Sequence, residues 1–431
     1  MKVRSWLAIC NTTGNDTTAT FPKSQKHLVS DSSSSSRSSD NTGSSTSIAD
    51  SSYSSLQSNL SLQTLPSVSS LQKISPEDAA NFSVSHVCIT SLKPRPRLPI
   101  GCIAVHQNLL YAASAHEINV YDRHTWAVLD TFNNEDSSSG SVKSITFCNG
   151  KIFTAHQDCK IRVWQLTPSK HHNLKTTLPT VNDRLRRFML PKNYVSVRRH
   201  RKKLWIEHAD AVTGLTVNNG LIFSVSWDKS LKIWQASDLR CSESAKAHED
   251  AVNAVAVSAD GTVYTGSADK RIRVWGKPFN EKRFGLIATL EKHKSAVNAL
   301  ALSDDGSVLF SGACDRSILV WEREDTANYM AVTGALRGHN KAILCLINVS
   351  DLLMSGSADQ TIRIWQRGND GRYGCLAILE GHMKPVKTLA AVMEDDQNGT
   401  VSVFSGSLDG ETKVWQVAMS KASSPNWKFT R

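Results

Sequence analysis

Apolar and polar residues alternate in short runs along most of the chain after residue 100. One stretch, "AHEDAVNAVAVSADGTVYTGSADKRIRVW", occupies residues 247–275, and a similar one, "KHKSAVNALALSDDGSVLFSGACDRSILVW", occupies residues 292–321. Both contain an opening His, an Asp-Gly turn, a Ser or Thr followed by Gly, a further Asp and a final Trp. Alternation with a period of two residues is typical of half-buried strands. Each stretch therefore predicts a group of short strands joined by tight turns.

The same pattern occurs seven times, and this repetition predicts a repeat fold. The copies end at Tyr121, Trp164, Trp234, Trp275, Trp321, Trp365 and Trp415. Most intervals between these residues correspond to one repeat, but 70 residues separate Trp164 from Trp234. The long interval predicts an insertion in the second repeat.

Three polar positions recur at constant places in the repeat. An Asp lies six residues before the final Trp, a Ser or Thr lies four residues before that Asp, and five copies open with a His. The five complete sets are His208, Ser224, Asp228 and Trp234; His248, Thr265, Asp269 and Trp275; His293, Ser311, Asp315 and Trp321; His339, Ser355, Asp359 and Trp365; and His382, Ser405, Asp409 and Trp415. The second copy has Ser138 where the His is expected, and the first has Ala115 where the Asp is expected.

These sets resemble the His–Ser/Thr–Asp–Trp hydrogen-bond network of WD-repeat β-propellers, and the resemblance covers residues 81–431. It implies an all-β, seven-bladed propeller in which buried polar groups bond to one another and stiffen each blade. The histidines and aspartates are then structural and not metal ligands, because each set occurs once per blade around the ring. We expect the apolar run Phe82–Leu92 to form the outer strand of the last blade and to close the ring.

Residues 1–80 differ in composition from the repeats. Twenty of the 41 residues from position 30 to position 70 are Ser. Such a segment buries too little apolar surface to offset the entropy lost on ordering, so we expect a disordered head. Its serines are candidates for phosphorylation, which adds nearly two negative charges at each site.

The net charge of +11 is concentrated in residues 166–206, which we call the basic segment. The basic segment contains eleven Lys and Arg residues and one acidic residue, Asp183. Within it, "TVNDRLRRFMLP" predicts a short helix with a capping-box-like start at Thr180 and Asp183 and an end at Pro191.

The place of the basic segment follows from an alignment of the repeats. Aligned on His208, "RHRKKLWIEH" matches the outer strands that precede the His of other copies. We therefore expect Arg199–Lys203 on the outer strand of the second blade. The insertion is then expected between the third and fourth strands of that blade, on the face opposite the His and Asp turns.

Three interpretations of this charge remain open from the sequence. The cations protect an exposed edge strand against aggregation, or "RRHRKK" is a signal for an import receptor, or the cluster contacts an acidic partner or nucleic acid. Nucleic acid is the less favoured partner, because aromatic residues for base stacking are few here. The residues concerned are Arg184, Arg186, Arg187, Arg198, Arg199, Arg201, Lys202 and Lys203.

Loops on one face of a rigid propeller are a usual place for peptide binding. Trp227 occupies a turn position where other copies have smaller residues, and it predicts an aromatic anchor for a partner. Packing against the neighbouring blade is the alternative interpretation. Charged candidates divide by sign, acidic over the third and fourth copies and basic over the fifth to seventh, so a complementary partner would be oriented as well as bound. They are Asp210, Asp250, Lys294, Arg316, Lys341 and Lys384.

The sequence contains no P-loop, no G-x-S-x-G, no H-E-x-x-H and no G-x-G-x-x-G after a strand. We interpret the adjacent His171 and His172 as surface residues in a loop and not as metal ligands. The sequence therefore predicts a protein that is not an enzyme and needs no cofactor or metal. We expect no membrane span and no signal peptide. Nine scattered cysteines without a C-x-x-C pair favour a reducing compartment, the cytoplasm, the nucleus or both.

These patterns together predict a scaffold that docks protein segments and is regulated through its Ser-rich head. The head, the segment "LPKNYVSVRRHRKKLW" and the repeats ending in Trp-Gln are similar to plant WD-repeat proteins of the Jingubang type. That resemblance implies a regulator of plant growth, in that group of pollen germination. Two other functions remain open. One is a substrate receptor of a cullin–RING ubiquitin ligase, disfavoured because "WQRG" and "WERE" stand where such receptors usually carry W-D-x-R. The other is a nucleic-acid-binding propeller that acts through the basic segment.

Overall fold

The computed structural model of the chain describes residues 82–94, 98–198, 201–278, 281, 283–323, 330–368, 371–394 and 399–421. The Ser-rich head predicted for residues 1–80 lies outside them. Within these ranges the chain forms seven four-stranded antiparallel sheets, so the prediction of an all-β, seven-bladed propeller is confirmed. The first strand, β1 (Phe82–Leu92), belongs to the last blade.

Blades 1 and 2 take the next eight strands in chain order. Blade 1 consists of β2 (Ile100–His106), β3 (Leu109–Ser114), β4 (Glu117–Asp122) and β5 (Val128–Phe132). Blade 2 consists of β6 (Val142–Cys148), β7 (Lys151–His156), β8 (Ile161–Leu166) and β9 (His172–Leu178). Between blades 2 and 3 lie a helix, α1 (Val181–Phe188), a 3-10 turn (Pro191–Asn193) and two strands, β10 (Tyr194–Arg198) and β11 (Arg201–Leu204). A second 3-10 turn (Ser137–Ser139) precedes β6.

The remaining blades follow the same order. Blade 3 consists of β12 (Val212–Asn218), β13 (Leu221–Ser226), β14 (Ser230–Gln235) and β15 (Cys241–Lys246). Blade 4 consists of β16 (Val252–Val257), β17 (Val263–Ser267), β18 (Arg271–Gly276) and β19 (Gly285–Glu291). Blade 5 consists of β20 (Val297–Leu302), β21 (Val308–Ala313), β22 (Ile318–Arg323) and β23 (Met330–Leu336). Blade 6 consists of β24 (Ile343–Val349), β25 (Leu352–Ser357), β26 (Ile362–Arg367) and β27 (Tyr373–Leu379). Blade 7 consists of β28 (Val386–Met393), β29 (Val401–Ser407), β30 (Thr412–Lys421) and β1.

The blades form a closed ring. The first strand of each blade lies beside the first strand of the next, and β28 lies beside β2. These strands therefore surround the central channel of the propeller. The ring is closed by the pairing of β1 with β30, from Phe82 opposite Lys421 to Leu92 opposite Thr412, which confirms the predicted role of this strand.

The hydrophobic core lies between neighbouring blades. In one cluster, Phe310 and Ile318 of blade 5 pack with Leu353 and Trp365 of blade 6. Each blade therefore has both faces of its sheet covered by the two neighbouring blades. This is why the second strand of most blades is buried at almost every position, on both faces of its sheet.

Because neighbouring strands run antiparallel, two kinds of connection emerge on the same face of the ring. One is the turn between the second and third strands of a blade, and the other leads from its outer strand to the next blade. The turns carry the Asp of each repeat and the connections carry the His. We call this side the turn face.

The structure corrects the expected position of the insertion. The outer strand of blade 2 is β9, in which Leu178 lies opposite Ile161, as Leu290 lies opposite Ile272 in blade 4. The insertion follows that strand, as residues 179–206, which we call the insert. It therefore lies between blades 2 and 3 and emerges on the turn face, not on the opposite one.

The cations of the insert do not occupy the outer strand of blade 2. Within the part of the chain that the structure describes, β10 and β11 pair with each other and with no blade. The expectation that Arg199–Lys203 forms the outer strand is therefore wrong, and so is its interpretation as protection of that edge. The helix prediction is confirmed, since α1 begins after Thr180, whose side chain accepts a hydrogen bond from the backbone N–H of Asp183.

Candidate functional site

Blades 3 to 7 each contain the same four-residue hydrogen-bond network. In blade 6, His339 Nδ1 lies 2.8 Å from Asp359 Oδ2, and His339 Nε2 lies 2.8 Å from Ser355 Oγ. The indole N–H of Trp365 donates to the same Ser355 oxygen at 2.8 Å. The Asp carboxylate also accepts from backbone N–H groups of the turn and of the connection before the blade, at Thr361 and Asn340. One network thus joins the second and third strands of the blade to two loops of the turn face.

The other four networks have closely similar geometry. The bonds between His and Asp, between His and hydroxyl, and from Trp to hydroxyl are all between 2.8 and 3.1 Å. They comprise His208, Ser224, Asp228 and Trp234; His248, Thr265, Asp269 and Trp275; His293, Ser311, Asp315 and Trp321; and His382, Ser405, Asp409 and Trp415.

The networks hold their carboxylates ionised. Burial opposes the charge on each Asp, but bonds from the His and from backbone N–H groups together outweigh it. The pKa values of Asp269 and Asp315 fall to about 2. The pKa is also lowered at Asp228, Asp359 and Asp409. Burial lowers the pKa of His208 and His382 against the opposing effect of their Asp partners, so these blades pair an ionised Asp with a neutral His.

Blade 2 builds a different network that the sequence pattern did not reveal. Its histidine is His156, at the end of β7, where other blades carry Ser or Ala. His156 Nε2 lies 2.7 Å from Thr154 Oγ1, which also accepts the indole N–H of Trp164 at 2.8 Å. The buried Arg162 bridges Asp158 and Asp136 in place of the absent His–Asp bond. Burial, followed by the charge of Arg162, lowers the pKa of His156 to about 3.

Blade 1 is held by groups from its neighbour. The carboxylate of Asp130 accepts from the backbone N–H of His172 and lies 2.6 Å from its Nδ1. His172 Nε2 in turn lies 3.3 Å from the hydroxyl of Tyr111. The His172 side chain is 1% exposed and that of His171 is 65% exposed. The interpretation of both histidines as surface residues is therefore wrong for His172, which links the outer strands of blades 1 and 2.

Trp227 lies at the turn of blade 3 on the turn face. It is half-buried, and the ammonium of Lys143, from the first strand of blade 2, lies 5.6 Å from the centroid of its ring. Burial, followed by the charge of Lys387, lowers the pKa of Lys143 to about 8. Lys143 and Lys387 occupy the same position in the first strands of blades 2 and 7, at the register shift beside the channel. The turn face thus joins a partly accessible indole to a half-buried cation.

The six charged candidates are all exposed on the turn face. The carboxylates of Asp210 and Asp250 each accept from the next backbone N–H, at 2.8 Å, which orients them at the start of blades 3 and 4. The basic candidates make no ion pair with any described residue. These are Lys294, Arg316, Lys341 and Lys384.

The cations of the insert fall into two groups. Arg187 forms an ion pair with the buried Asp183 and lies 5.2 Å above the Trp205 ring. Arg184 Nε pairs with Glu207 at 3.1 Å, and Lys203 Nζ donates to the backbone carbonyl of His208 at 2.9 Å.

The other cations of the insert are exposed or lie outside the described side chains. Arg186 and Lys202 are exposed and make no ion pair with the residues that the structure describes. Arg198 and Arg201 are described for their backbone alone, and Arg199 lies outside the described ranges.

Two other features are absent from the described ranges. No group of three or more His, Cys, Asp and Glu side chains there is placed to hold a metal ion. None of the helices in those ranges has the length and apolar character to cross a membrane.

Comparison with known proteins identifies the repeats. The family model for the WD domain, G-beta repeat, matches residues 200–235, 239–276, 284–322, 331–366 and 373–416. The chain carries WD40 repeats. The matched segments correspond to the five blades with a complete His–Ser/Thr–Asp–Trp network, and the match does not reach blades 1 and 2, whose networks are altered.

One curated relative is similar to a short part of this chain. It is an uncharacterized WD repeat-containing protein of Schizosaccharomyces pombe, 34% identical over 74 residues. The alignment covers 16% of this chain and spans 14% of the length of that relative. This match supports the presence of the repeat, and it gives no information about activity. The WD40 propeller, a class of generally non-catalytic folds, is consistent with a scaffold for protein interactions.

Proposed function

We propose that this WD40 protein is a non-catalytic scaffold that binds protein segments on its turn face, with Trp227 as the anchor. The observation that carries the proposal is the contact between Trp227 and Lys143 at the mouth of the channel. Lys143 is half-buried, and removing a cation from water costs stability unless the cation is paired. Its retention beside a partly accessible indole is expected of a binding site, where an aromatic side chain supplies affinity and a charge supplies selectivity.

The charged residues around Trp227 set the orientation of the partner. Asp210 and Asp250 stand over blades 3 and 4, whose turns also carry Lys229 and Lys270, and over blades 5 to 7 stand four basic side chains that pair with no described acidic residue. A segment with basic residues at one end and acidic residues at the other would bind in one direction, because the reverse direction places like charges together. The insert, on the same face, extends this surface beyond blade 2.

The proposal includes a biological setting that rests on sequence resemblance alone. The Ser-rich head, the basic segment and the Trp-Gln repeat endings resemble plant proteins of the Jingubang type. We propose a role in plant growth or pollen germination, with phosphorylation of the head as the regulating event. Residence in the cytoplasm, the nucleus or both is part of the same proposal, with "RRHRKK" as the candidate for import.

The alternatives receive less support. Arg184, Arg187 and Lys203 are bonded to protein groups, so the basic segment offers fewer cations to nucleic acid than its sequence suggests. Nothing in the described ranges favours a receptor of a cullin–RING ligase.

The test is proximity labelling in plant cells with three forms of the full-length protein. Trp227→Ala removes the anchor, and Trp126→Ala is a matched control, because Trp126 is also half-buried but lies between the third and fourth strands of blade 1, on the opposite face. We expect Trp227→Ala to reduce the labelling of a defined set of neighbours by about tenfold, the effect of losing an interface anchor. The control should retain that set. Equal labelling by all three proteins, at equal abundance and thermal stability, would overturn the proposal.

A further inference from the structure

The insert exposes an unusual concentration of large apolar side chains. Seven of them are more than a third exposed within fifteen consecutive residues, from the start of α1 to β10. These are Val181, Leu185, Phe188, Met189, Leu190, Tyr194 and Val195. Soluble proteins rarely leave such a contiguous apolar patch uncovered without a binding function. We call these seven residues the apolar patch.

The orientation of α1 is held by its opposite side. Asp183 is buried and paired with Arg187, and the guanidinium of Arg187 lies over the Trp205 ring. Val181, Leu185 and Phe188 are spaced four and three residues apart, so they share the face that points away from these contacts. Turning the apolar face inward would separate the buried Asp183 from Arg187 and leave its charge without a partner, which is strongly unfavourable. The patch is therefore a fixed feature of the turn face.

Cations surround the patch without acidic partners. Arg186, Lys192 and Lys202 are exposed and form no ion pair with a described residue. The complementary surface must therefore be negative and apolar at once. A second copy of this chain does not meet that requirement, because the two basic segments would repel each other.

We propose that the apolar patch and its cations dock this protein onto the surface of a membrane that contains anionic lipids. A helix with apolar residues on one face and Arg or Lys beside them lies in the interface of a bilayer, where the apolar side chains enter the acyl boundary and the cations meet the headgroups. A partner that encloses the helix would need its whole circumference, but one side already contacts Trp205 and Glu207. A bilayer needs one face only. The site goes beyond the proposed scaffold function, because it would place the turn face and its partners at a membrane.

The test is flotation of the full-length protein with vesicles of phosphatidylcholine containing about 30% phosphatidylserine, compared with vesicles of phosphatidylcholine alone. We expect binding to the anionic vesicles, and weaker binding at about 0.5 M salt than at about 0.1 M, where charges are less screened. Phe188→Ser with Met189→Ser should reduce the binding constant about tenfold or more, because two apolar side chains no longer enter the bilayer.

Two further pairs of variants keep the test specific. Arg186→Gln with Lys202→Gln should also weaken binding, by about thirtyfold, since each cation near an anionic surface contributes about 1 kcal/mol. The matched control is Val128→Ser with Ile287→Ser, which removes exposed apolar side chains from the outer strands of blades 1 and 4. The control should bind like the unchanged protein. All forms must show the same thermal unfolding midpoint.

Three outcomes would overturn the proposal. One is the absence of binding to anionic vesicles by the folded protein, and another is binding that survives loss of the patch. The third is patch-dependent binding of an acidic amphipathic peptide without any binding to vesicles, which would identify a protein as the occupant. Failure of vesicle binding leaves the Trp227-dependent scaffold function intact, so the two proposals are tested separately.

Discussion

The ammonium of Lys143 lies 5.6 Å from the centroid of the Trp227 ring and joins the first strand of blade 2 to the turn of blade 3. This contact brings together a residue that the sequence identified as a candidate anchor and one that it did not. A cation over an indole contributes about 0.5–2 kcal/mol. That is less than burial of a lysine costs when it has no acidic partner.

The first prediction concerns the stability cost of Lys143. Its pKa is lowered from 10.5 to about 8 in the folded protein, by burial first and by Lys387 second. The charged form is therefore disfavoured in the fold, and the cost is fully present below pH 8 and is relieved as the pH rises from 8 towards 10.5. We expect Lys143→Met to raise the free energy of unfolding by about 1–3 kcal/mol at pH 7. The gain over the unchanged protein should shrink at pH 9.5.

Urea unfolding at the two pH values measures both effects. Lys294→Met is the control, because Lys294 is exposed and its replacement should change stability by less than about 0.5 kcal/mol. A loss of stability in Lys143→Met at pH 7 would contradict this account and would mean that Lys143 has a compensating partner.

The second prediction concerns the hydroxyl at the centre of one network. Ser355 Oγ accepts the Trp365 indole N–H and bonds to His339, and all three groups are buried. Ser355→Ala leaves two buried polar groups without partners, so we expect a loss of about 2–4 kcal/mol in the free energy of unfolding. The exposed Ser196, in β10, serves as the control: Ser196→Ala should be nearly neutral. Equal effects of the two changes in chemical denaturation would show that the network adds nothing to the stability of the blade.

The third prediction concerns acid unfolding. Asp269 and Asp315 have folded-state pKa values of about 2, below the ordinary value of 3.8. A depressed carboxyl pKa contributes stability that is present above pH 4 and is lost as the pH falls towards 2. We expect the thermal midpoint to drop across that window. In the Asp269→Asn, Asp315→Asn double variant the drop should be smaller and should start from a lower midpoint, and an unchanged pH profile would count against the assignment.

The fourth prediction concerns the substitute network of blade 2. Arg162 is 4% exposed and pairs with both Asp136 and Asp158. Arg162→Met would leave two carboxylates near each other without their cation, and we expect a loss of about 3–5 kcal/mol. Arg271→Met tests an exposed ion pair, with Glu291, and should cost less than about 1 kcal/mol. If hydrogen exchange showed no faster opening of blade 2 in Arg162→Met, the bridging role of this arginine would be wrong.

Repetition made most of the fold predictable from the sequence. Each blade repeats the same local pattern, and seven copies with one early strand, Phe82–Leu92, are enough to predict seven blades and a closed ring. The helix α1 was predictable as well, because Thr180 and Asp183 form a local cap whose signal lies within four residues. The residues of the five complete networks could be named because the spacing of Ser/Thr, Asp and Trp is constant and a His opens each copy. Their contacts in the structure have the geometry that this spacing implies.

The predictions from the sequence were wrong where a repeat departs from the common pattern. In blade 2 the alignment on His208 assigned "RHRKKLW" to the outer strand, whereas the strand that pairs with β8 is "HNLKTTL", residues 172–178. Both segments are short and polar, so local pattern does not distinguish them. His156 left a weak signal, as the only His at a position where other copies carry Ser or Ala. The link from Tyr111 through His172 to Asp130 left none, because its members lie on three strands of two blades.

The sequence by itself determined the elements of this protein, because strand alternation, turn residues and helix caps are local and recur in every copy. The tertiary structure alone decided which strand pairs at the edge of blade 2 and, with it, on which face the insert emerges. That choice depends on hydrogen bonds between residues distant in the chain. A shift of one residue in a strand's register also exchanges the side chains that are buried with those that are exposed. It also decided which cations of the insert are bonded within the protein and which, with the apolar patch, face outward.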